Sequence, residues 1–360
     1  MAAAGNLWNQ YQLSRRMEEG WPIYKKCCFE LRTAISSAKY VVHPYTTSGK
    51  APTKKAIEKA DLVQRAIDGF RPDRFADEDG FNGMLFDLTD ALINGIAITE
   101  MIWDQDATDP DGDNESIIRA SAWVNPRNIG FTADGRFGVA DVAQSGNMSF
   151  SNLTRGTLMD DPDKFLVAKF KSKSGSPLTA GYVRTLAPIW VMIAYGRDYA
   201  LNFAQKYGNP FMDISYEPGM TGSEFELKTL ENLARMAANQ GYFIHPNTAK
   251  LEQIAEHKMG GDNAQIALMN LADIQCQILM LGQTLTTSTP EKGGTRAQGE
   301  VHENVRQERL EEHTKWIGRV LSEQFADSIC RVNYRNDYLR NPERPTVEAD
   351  LTRPMSAAEQ

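Results

Sequence analysis

The sequence predicts a mainly α fold with a β-rich unit set into it, an α+β class. Three observations carry this. Apolar residues recur at three- and four-residue steps from Leu13 to Asn94 and again after Gly181. Short β-like segments separated by Gly, Asp and Pro fill the stretch from Ala97 to Phe170. The 360-residue chain is 41% hydrophobic and 24% charged, which is the composition of a chain that buries a core rather than of a disordered one.

The elements follow in order. Trp21, Tyr24, Cys28, Leu31 and Ile35 place an apolar stripe on a helix within Leu13–Tyr40, and Pro22 predicts a start or kink there. A second helix is expected over Pro52–Phe70, closed by Gly69 and Pro72, and a third from about Glu78 to Asn94 with Gly95 as terminator. Ala97–Trp103 and Ser116–Val124 read as strands joined by the acidic turn Asp109 to Asn114. Asn128–Thr132, Phe137–Val142 and Phe165–Phe170 continue the β unit. Pro188 is expected in the first turn of a helix carrying Trp190, Ile193, Leu201 and Ala204 on one face and ending at Gly208 to Pro210. A small αβ insert comes next: strand Phe211–Tyr216, helix Ser223–Ala238, strand Tyr242–His245. After Gly260 and Gly261, the residues Ala267, Leu271, Ile274, Ile278 and Leu281 step by 4, 3, 4 and 3, a heptad-like stripe suited to packing between helices. The last long helix is expected from about Ala297 to Ile329, with Leu310, His313, Ile317, Val320, Leu321 and Phe325 on one side. The charged, proline-containing tail after Asn336 is expected to be loosely ordered.

Composition excludes several classes. There are 39 Lys+Arg against 47 Asp+Glu, a net charge of −8, which counts against tight nucleic-acid binding because phosphate contacts need clustered cations. The longest apolar run, Leu186 to Tyr195, is far short of the ~20 residues of a membrane span. Met1 to Asn9 has neither the basic nor the apolar part of a secretory signal, so none is expected. The four cysteines (Cys27, Cys28, Cys276 and Cys330) show no C-x-x-C pattern and are expected as reduced, buried thiols.

Enzymatic signatures are missing. No phosphate loop, dinucleotide fingerprint, H-E-x-x-H or G-x-S-x-G pattern occurs. Asp109, Asp111 and Asp113 alternate as in a calcium loop, but Asn114 stands at the sixth position and Ala120 at the twelfth, where that loop needs Gly and Glu. A solvated hairpin tip is the expectation. His302 and His313 share one predicted helix without carboxylates at ligand spacing, so no catalytic residue, metal site or cofactor is expected. The most informative segment is the polar interruption after Gly282, which contains Thr284, Thr286, Thr287, Ser288, Thr289, Lys292 and Arg296. Helix–helix connections usually take about 2–8 residues, and one of this length calls for a function.

Several segments together resemble the portal protein family of tailed bacteriophages, in the branch typified by phage Mu. They are Trp123-Val-Asn-Pro-Arg-Asn-Ile-Gly-Phe131, Gly181-Tyr-Val-Arg-Thr-Leu-Ala-Pro188, Asn202-Phe-Ala-Gln-Lys-Tyr-Gly-Asn-Pro210, and Leu281-Gly-Gln-Thr-Leu-Thr-Thr287 followed by Gly293-Gly-Thr-Arg-Ala-Gln-Gly-Glu-Val-His302. Gln205 stands where the family usually has an acid. The resemblance implies a ring-forming portal fold with wing, stem, clip and channel loop. Wing would be 1–180 and 297–336, stem helices 181–208 and 259–282, clip 209–258, channel loop 283–296, and tail 337–360, with the crown small or absent. It implies a homo-oligomeric ring, commonly of twelve copies, at a virion capsid vertex and assembled in the host cytoplasm. Double-stranded DNA would be packaged and ejected through it. The implied partners are the major capsid protein, the terminase large subunit and a neck adaptor, with no membrane.

An acidic chain suits a conduit, because each neutralised phosphate adds grip and DNA must slide. Thr284 to Arg296 is then the expected DNA-facing constriction, and the stripe from Ala267 to Leu281 is expected to pack either between subunits or in an intrachain core. Two other classes compete: a helical hydrolase or nuclease, which lacks any motif here, and a different ring-forming head–neck adaptor, which the length and the αβ insert disfavour.

Overall fold

Trp21 separates the first two helices: α1 (Leu7–Gly20) ends before it and α2 (Pro22–Ser36) begins with Pro22 at its first position, where the missing N–H costs nothing. This computed structural model describes residues 7–47, 50–108, 112–131, 137–140, 158–159, 161–208, 212–217, 228–232, 235, 242–248, 264–282 and 296–351. The predicted stripe of Trp21, Tyr24, Cys28, Leu31 and Ile35 is buried throughout. The helix is shorter than the sequence predicts. It stops at Ser36, and Lys39–His43 form β1, because Tyr40, Val41 and Val42 favour a strand. Then come α3 (Lys54–Asp68), capped by the Thr53 hydroxyl accepting from Ala56 N–H at 3.1 Å, α4 (Phe81–Leu88) and α5 (Asp90–Asn94). Gly95 terminates α5 at φ 92°, as predicted.

The chain divides into two compact units, one of Met1–Pro188 with Asp273–Gln360 and one of Ile189–Ala272. In the first, β2 (Ile96–Thr108), β3 (Asn114–Trp123) and β7 (Phe165–Lys169) make an antiparallel sheet of order β3-β2-β7. A second sheet joins β4 (Ile129–Phe131), β5 (Phe137–Ala140) and β6 (Leu158–Met159). Helix α4 packs on β2 and β3, and an aromatic cluster of Phe70, Phe81 and Phe325 ties it to the C-terminal helix, with ring centroids 5.7–6.2 Å apart.

That C-terminal helix is continuous in sequence but not in winding. Helix α8 (Arg296–Val320) passes into a π-helical turn, Leu321–Ala326, and then α9 (Asp327–Asn333). From this stretch two amide side chains close the sheet's edges. Val167 N–H donates to Gln324 Oε1 at 2.7 Å and Gln324 Nε2 donates back to Val167 O at 2.9 Å. Ser116 N–H donates to Asn333 Oδ1 at 2.9 Å and Asn333 Nδ2 donates to Ser116 O at 2.8 Å. Each amide satisfies backbone groups that an edge strand leaves open.

The tail corrects the sequence reading. After α10 (Arg335–Tyr338), Thr346–Asp350 form β10, antiparallel to β1 from Lys39↔Asp350 to His43↔Thr346. The order comes from Lys59, fully buried on α3, whose Nζ donates to Asn341 O at 3.2 Å and Pro342 O at 3.3 Å. Tyr334 and Tyr338 flank the ammonium, and the Asp337 and Glu343 carboxylates lie 3.9 Å away.

In the second unit, β8 (Met212–Tyr216) and β9 (Tyr242–Pro246) pair in parallel, Met212 opposite Tyr242 and Tyr216 opposite Pro246. Residues 228–232 between them are helical, within the helix expected there. The helix before the insert is α6 (Tyr182–Gly208); it starts earlier than predicted, so Pro188 lies inside it and not in its first turn. The helix after the insert is α7 (Ala264–Leu281).

Candidate functional site

The stripe that singled out α7 in the sequence meets two environments. Leu281 is buried at 4% exposure, whereas Ala267, Leu271, Ile274 and Ile278 are exposed, Leu271 at 50% and Ile278 at 45%. The buried side of the same helix carries Ala272, Cys276, Gln277 and Met280. Helix α7 is therefore apolar on opposite sides, and a helix apolar all round is normally enclosed. Half of that enclosure is present within the chain; the other face is open among the described residues. Helix α6 has the same property: Ile193 is buried, while Val191, Met192, Tyr195, Tyr199 and the predicted face residue Leu201 are exposed.

One polar bond fixes the buried side. Trp21 Nε1 donates to Asp273 Oδ1 at 2.6 Å, and burial raises the Asp273 carboxyl while this bond partly offsets it. Burial and neighbouring groups push the Cys28 thiol well above its ordinary value, and elsewhere in the core, near Lys59 and Asp327, Cys330 is pushed up to about 12 by burial. All four cysteines are buried and free, as the sequence predicts, which leaves them inert as nucleophiles.

The polar segment leaves α7 through Gly282, whose φ of 77° is left-handed, the usual way for a helix to end. A Cβ there would meet the Arg309 side chain at 2.9 Å and Val305 at 3.0 Å. Arg309, on α8, donates from Nη1 to the carbonyl of Leu279, so a cation caps the negative end of α7 where the segment departs. The far end is the start of α8, which begins at Arg296, the last residue of the predicted loop. Thr284, Thr286, Thr287, Ser288, Thr289 and Lys292 lie outside the described residues.

His313 is a structural residue. Its Nδ1 lies 2.6 Å from Arg309 O and its Nε2 3.3 Å from the Tyr182 hydroxyl, with Phe170 stacked on the ring; burial lowers its pKa. The Asp109 and Asp111 part of the acidic turn lies outside the described residues. Among the described residues no group of three or more His, Cys, Asp and Glu is placed to hold a metal ion, and no described helix is long and apolar enough to cross a membrane. Sequence reasoning missed Arg309, Trp21 with Asp273, and the exposed Tyr195 and Tyr199 of α6. Only the last had a signal, an aromatic pair at i, i+4 spacing.

Comparison with known proteins gives these features a context. The family model described as the portal protein of Mu bacteriophage matches residues 11–360. The chain is 24% identical over 353 residues to the Mu-like prophage FluMu protein gp29 of Haemophilus influenzae, covering 95% of this chain and 61% of that protein. It is 25% identical over 338 residues to the portal protein of Escherichia phage Mu, covering 92% of this chain and 59% of that protein. The chain thus spans about three fifths of the length of these curated relatives. Among solved structures, a chain in the virion of a native gene transfer agent particle aligns with TM-score 0.57 at 12% identity, covering 96% of this chain and 84% of that one. A chain in the neck of the native particle, computed with C12 symmetry, aligns with TM-score 0.57 at 11% identity, covering 98% and 86%. These two matches share the fold, mainly α with an inserted β unit. With a family match over residues 11–360, the chain belongs to the family of the portal protein of Mu bacteriophage, a structural family of the phage particle.

Proposed function

We propose that this portal chain assembles into a closed ring, commonly of twelve copies, at one vertex of a phage capsid, around a channel through which double-stranded DNA is packaged and later ejected. The observation that carries the ring is the second apolar face of α7, which is open among the described residues and which a neighbouring copy would enclose. The neck structure computed with C12 symmetry, to which this chain is similar in fold, supports the same reading. In this assignment, residues 1–180 and 297–336 form the wing, 181–208 and 259–282 the stem helices, and 209–258 the clip. Residues 283–296 form the channel loop and 337–360 the tail. Ala267, Leu271, Ile274 and Ile278 then pack between stems, while Leu281 anchors its own chain. The role is structural and requires no catalytic residue or cofactor. The ring sits in the virion after assembly in the host cytoplasm, against the major capsid protein, with the terminase motor and then a neck adaptor docking on it.

The charge fits passage. An excess of eight acids repels the duplex along most of a bore, and the channel-loop cations Lys292 and Arg296 touch it lightly at one ring. Gly282 and Arg309 fix where that loop starts. The mass of the purified protein tests the ring: a large closed oligomer with a central hole is expected, and a monomer with catalytic turnover defeats the reading. Deleting Thr286 to Lys292 tests the loop. Rings of unchanged mass with impaired packaging or leakage of packaged DNA are expected; wild-type packaging and retention would reject the constriction.

A further inference from the structure

A rigid aromatic tip and an unfilled aromatic–acidic cavity occur on the first unit of the same chain. The tip is Phe75, 91% exposed, with the Arg74 guanidinium 5.5 Å from its ring centroid. Its loop is stitched down. Phe75 N–H donates to Asp73 Oδ1 at 2.9 Å, and Asp73 N–H donates to Glu78 Oε2 at 2.9 Å. Glu78 in turn accepts both Arg119 Nη1 and Nη2 at 2.9 Å. On either side, Arg71 N–H donates to Arg119 O at 2.7 Å and Asp79 N–H to Ser121 O at 2.7 Å, so strand β3 holds the loop at both ends. A large ring kept in water on a preorganised loop loses little entropy on docking.

The cavity, about 480 Å³, lies among α1, α2, α4 and the end of β3, and the rings of Tyr11, Phe86 and Trp123 and the carboxylates of Glu19, Asp87 and Asp90 line it. Tyr11 and Trp123 stand 5.8 Å apart, tilted by 41°. Its one deep cation is committed: Arg32 holds both Glu18 oxygens at 2.9 and 3.1 Å and Asp90 at 2.8 Å. Arg15 is occupied at the rim by the Tyr11 hydroxyl at 3.1 Å, and Lys25 is exposed. Asp87 bonds to Asp79, and burial with that neighbour raises its carboxyl to about 7, so the pair shares a proton that an incoming cation would displace. Four carboxyl groups (Glu18, Glu19, Asp87 and Asp90) line the cavity against three cations (Arg15, Lys25 and Arg32), so one acid is in excess; with its three rings the cavity suits a guanidinium carried beside an aromatic ring, which is what the Arg74–Phe75 tip offers.

We propose that the Arg74–Phe75 tip of one copy seats in the Tyr11–Phe86–Trp123 cavity of the adjacent copy. A cyclic ring needs a heterologous interface, with two different complementary patches on every subunit, and this pair supplies them. Aromatic and arginine anchors in a central pocket are also the groups that dominate interface energy. The inference rests on the ring proposed above and adds a contact outside the α7 stripe.

Oxidative cross-linking of the full-length Phe75→Cys/Glu19→Cys double variant tests it, and the native cysteines do not interfere because all four are buried. A ladder of covalent oligomers up to the ring is expected, with neither single variant giving one. In parallel, Arg74→Ala/Phe75→Ala should raise the protein concentration at which rings fall apart by about tenfold or more. If wild-type rings form but the cysteine pair joins only within one chain or not at all, the tip–cavity contact is wrong and the ring stands. The same holds if the alanine variant dissociates like wild type. A wild-type chain that stays monomeric under all assembly conditions overturns the ring and this contact together.

Discussion

Asp87 sits on the second turn of α4 beside Asp79, and burial and that neighbour lift its carboxyl to about 7. The folded chain therefore holds a proton that the unfolded chain, with an ordinary Asp pKa of about 4, releases. The sign follows from linkage: stability is fullest below about pH 4 and is lost as pH rises through about 7. Asp87→Asn should flatten that dependence and leave the protein about 1–3 kcal/mol more stable than wild type at pH 8, read from urea unfolding curves at several pH values. A variant with the wild-type slope between pH 4 and 7 would show that the carboxyl titrates normally. Nothing in the sequence marks Asp87, since the pairing with Asp79 depends on how α4 enters and on what buries it. Lys59 is similar. A helix is expected over its segment, but a lysine in that run reads as a surface residue, and only the returning chain at Asn341 and Pro342 turns it into a buried clamp.

At the scale of elements, the long C-terminal helix was legible and its work was not. The periodicity places Leu310, His313, Ile317, Val320, Leu321 and Phe325 on one side; Leu310 is half-buried and the other five are buried. Gln324 and Asn333, which nothing in the sequence singles out, are the residues that close the edges of β7 and β3. Replacing either amide with Ala leaves a backbone N–H and C=O of an edge strand without their partner, so each variant should lose about 1–3 kcal/mol of unfolding free energy. Hydrogen exchange adds the specific readout: the Val167 amide should lose protection in Gln324→Ala and the Ser116 amide in Asn333→Ala, each without the other. Gly318 works by close approach. A Cβ there would lie 2.7 Å from Val347 O, so α8 can lie against β10 only because the residue has no side chain. The tail read from its composition as loose is held by this approach and by Val347 N–H donating to Ser322 Oγ at 2.8 Å.

At the scale of the whole molecule, the informative surface is the apolar one left uncovered among the described residues. Leu271, Ile274 and Ile278 are exposed on a helix whose other side is core. Changing all three to Glu should leave circular dichroism and the unfolding midpoint of the first unit near wild type, while shifting the mass of the assembly from ring to small oligomers. A triple variant that still forms full-mass rings would remove α7 from the interface. The net charge of −8 takes its meaning at this scale as well. In one free chain it argues against holding DNA; spread around the proposed channel it would keep DNA moving.

The amino-acid sequence by itself determined the class, most of the helices and strands in their order, the terminating glycines at 95 and 208, the burial of the cysteines and the family. The elements and their ends are settled by local periodicity and turn chemistry, which neighbours in the chain impose on one another; the family is carried by its motifs. Tertiary structure alone decided that the tail is a strand, that α6 begins before Pro188, that Lys59 and Asp87 are buried, and that the α7 stripe divides between a buried Leu281 and an open face. Each of these depends on a group far away in sequence, and burial, unlike periodicity, is fixed only when the distant segment arrives.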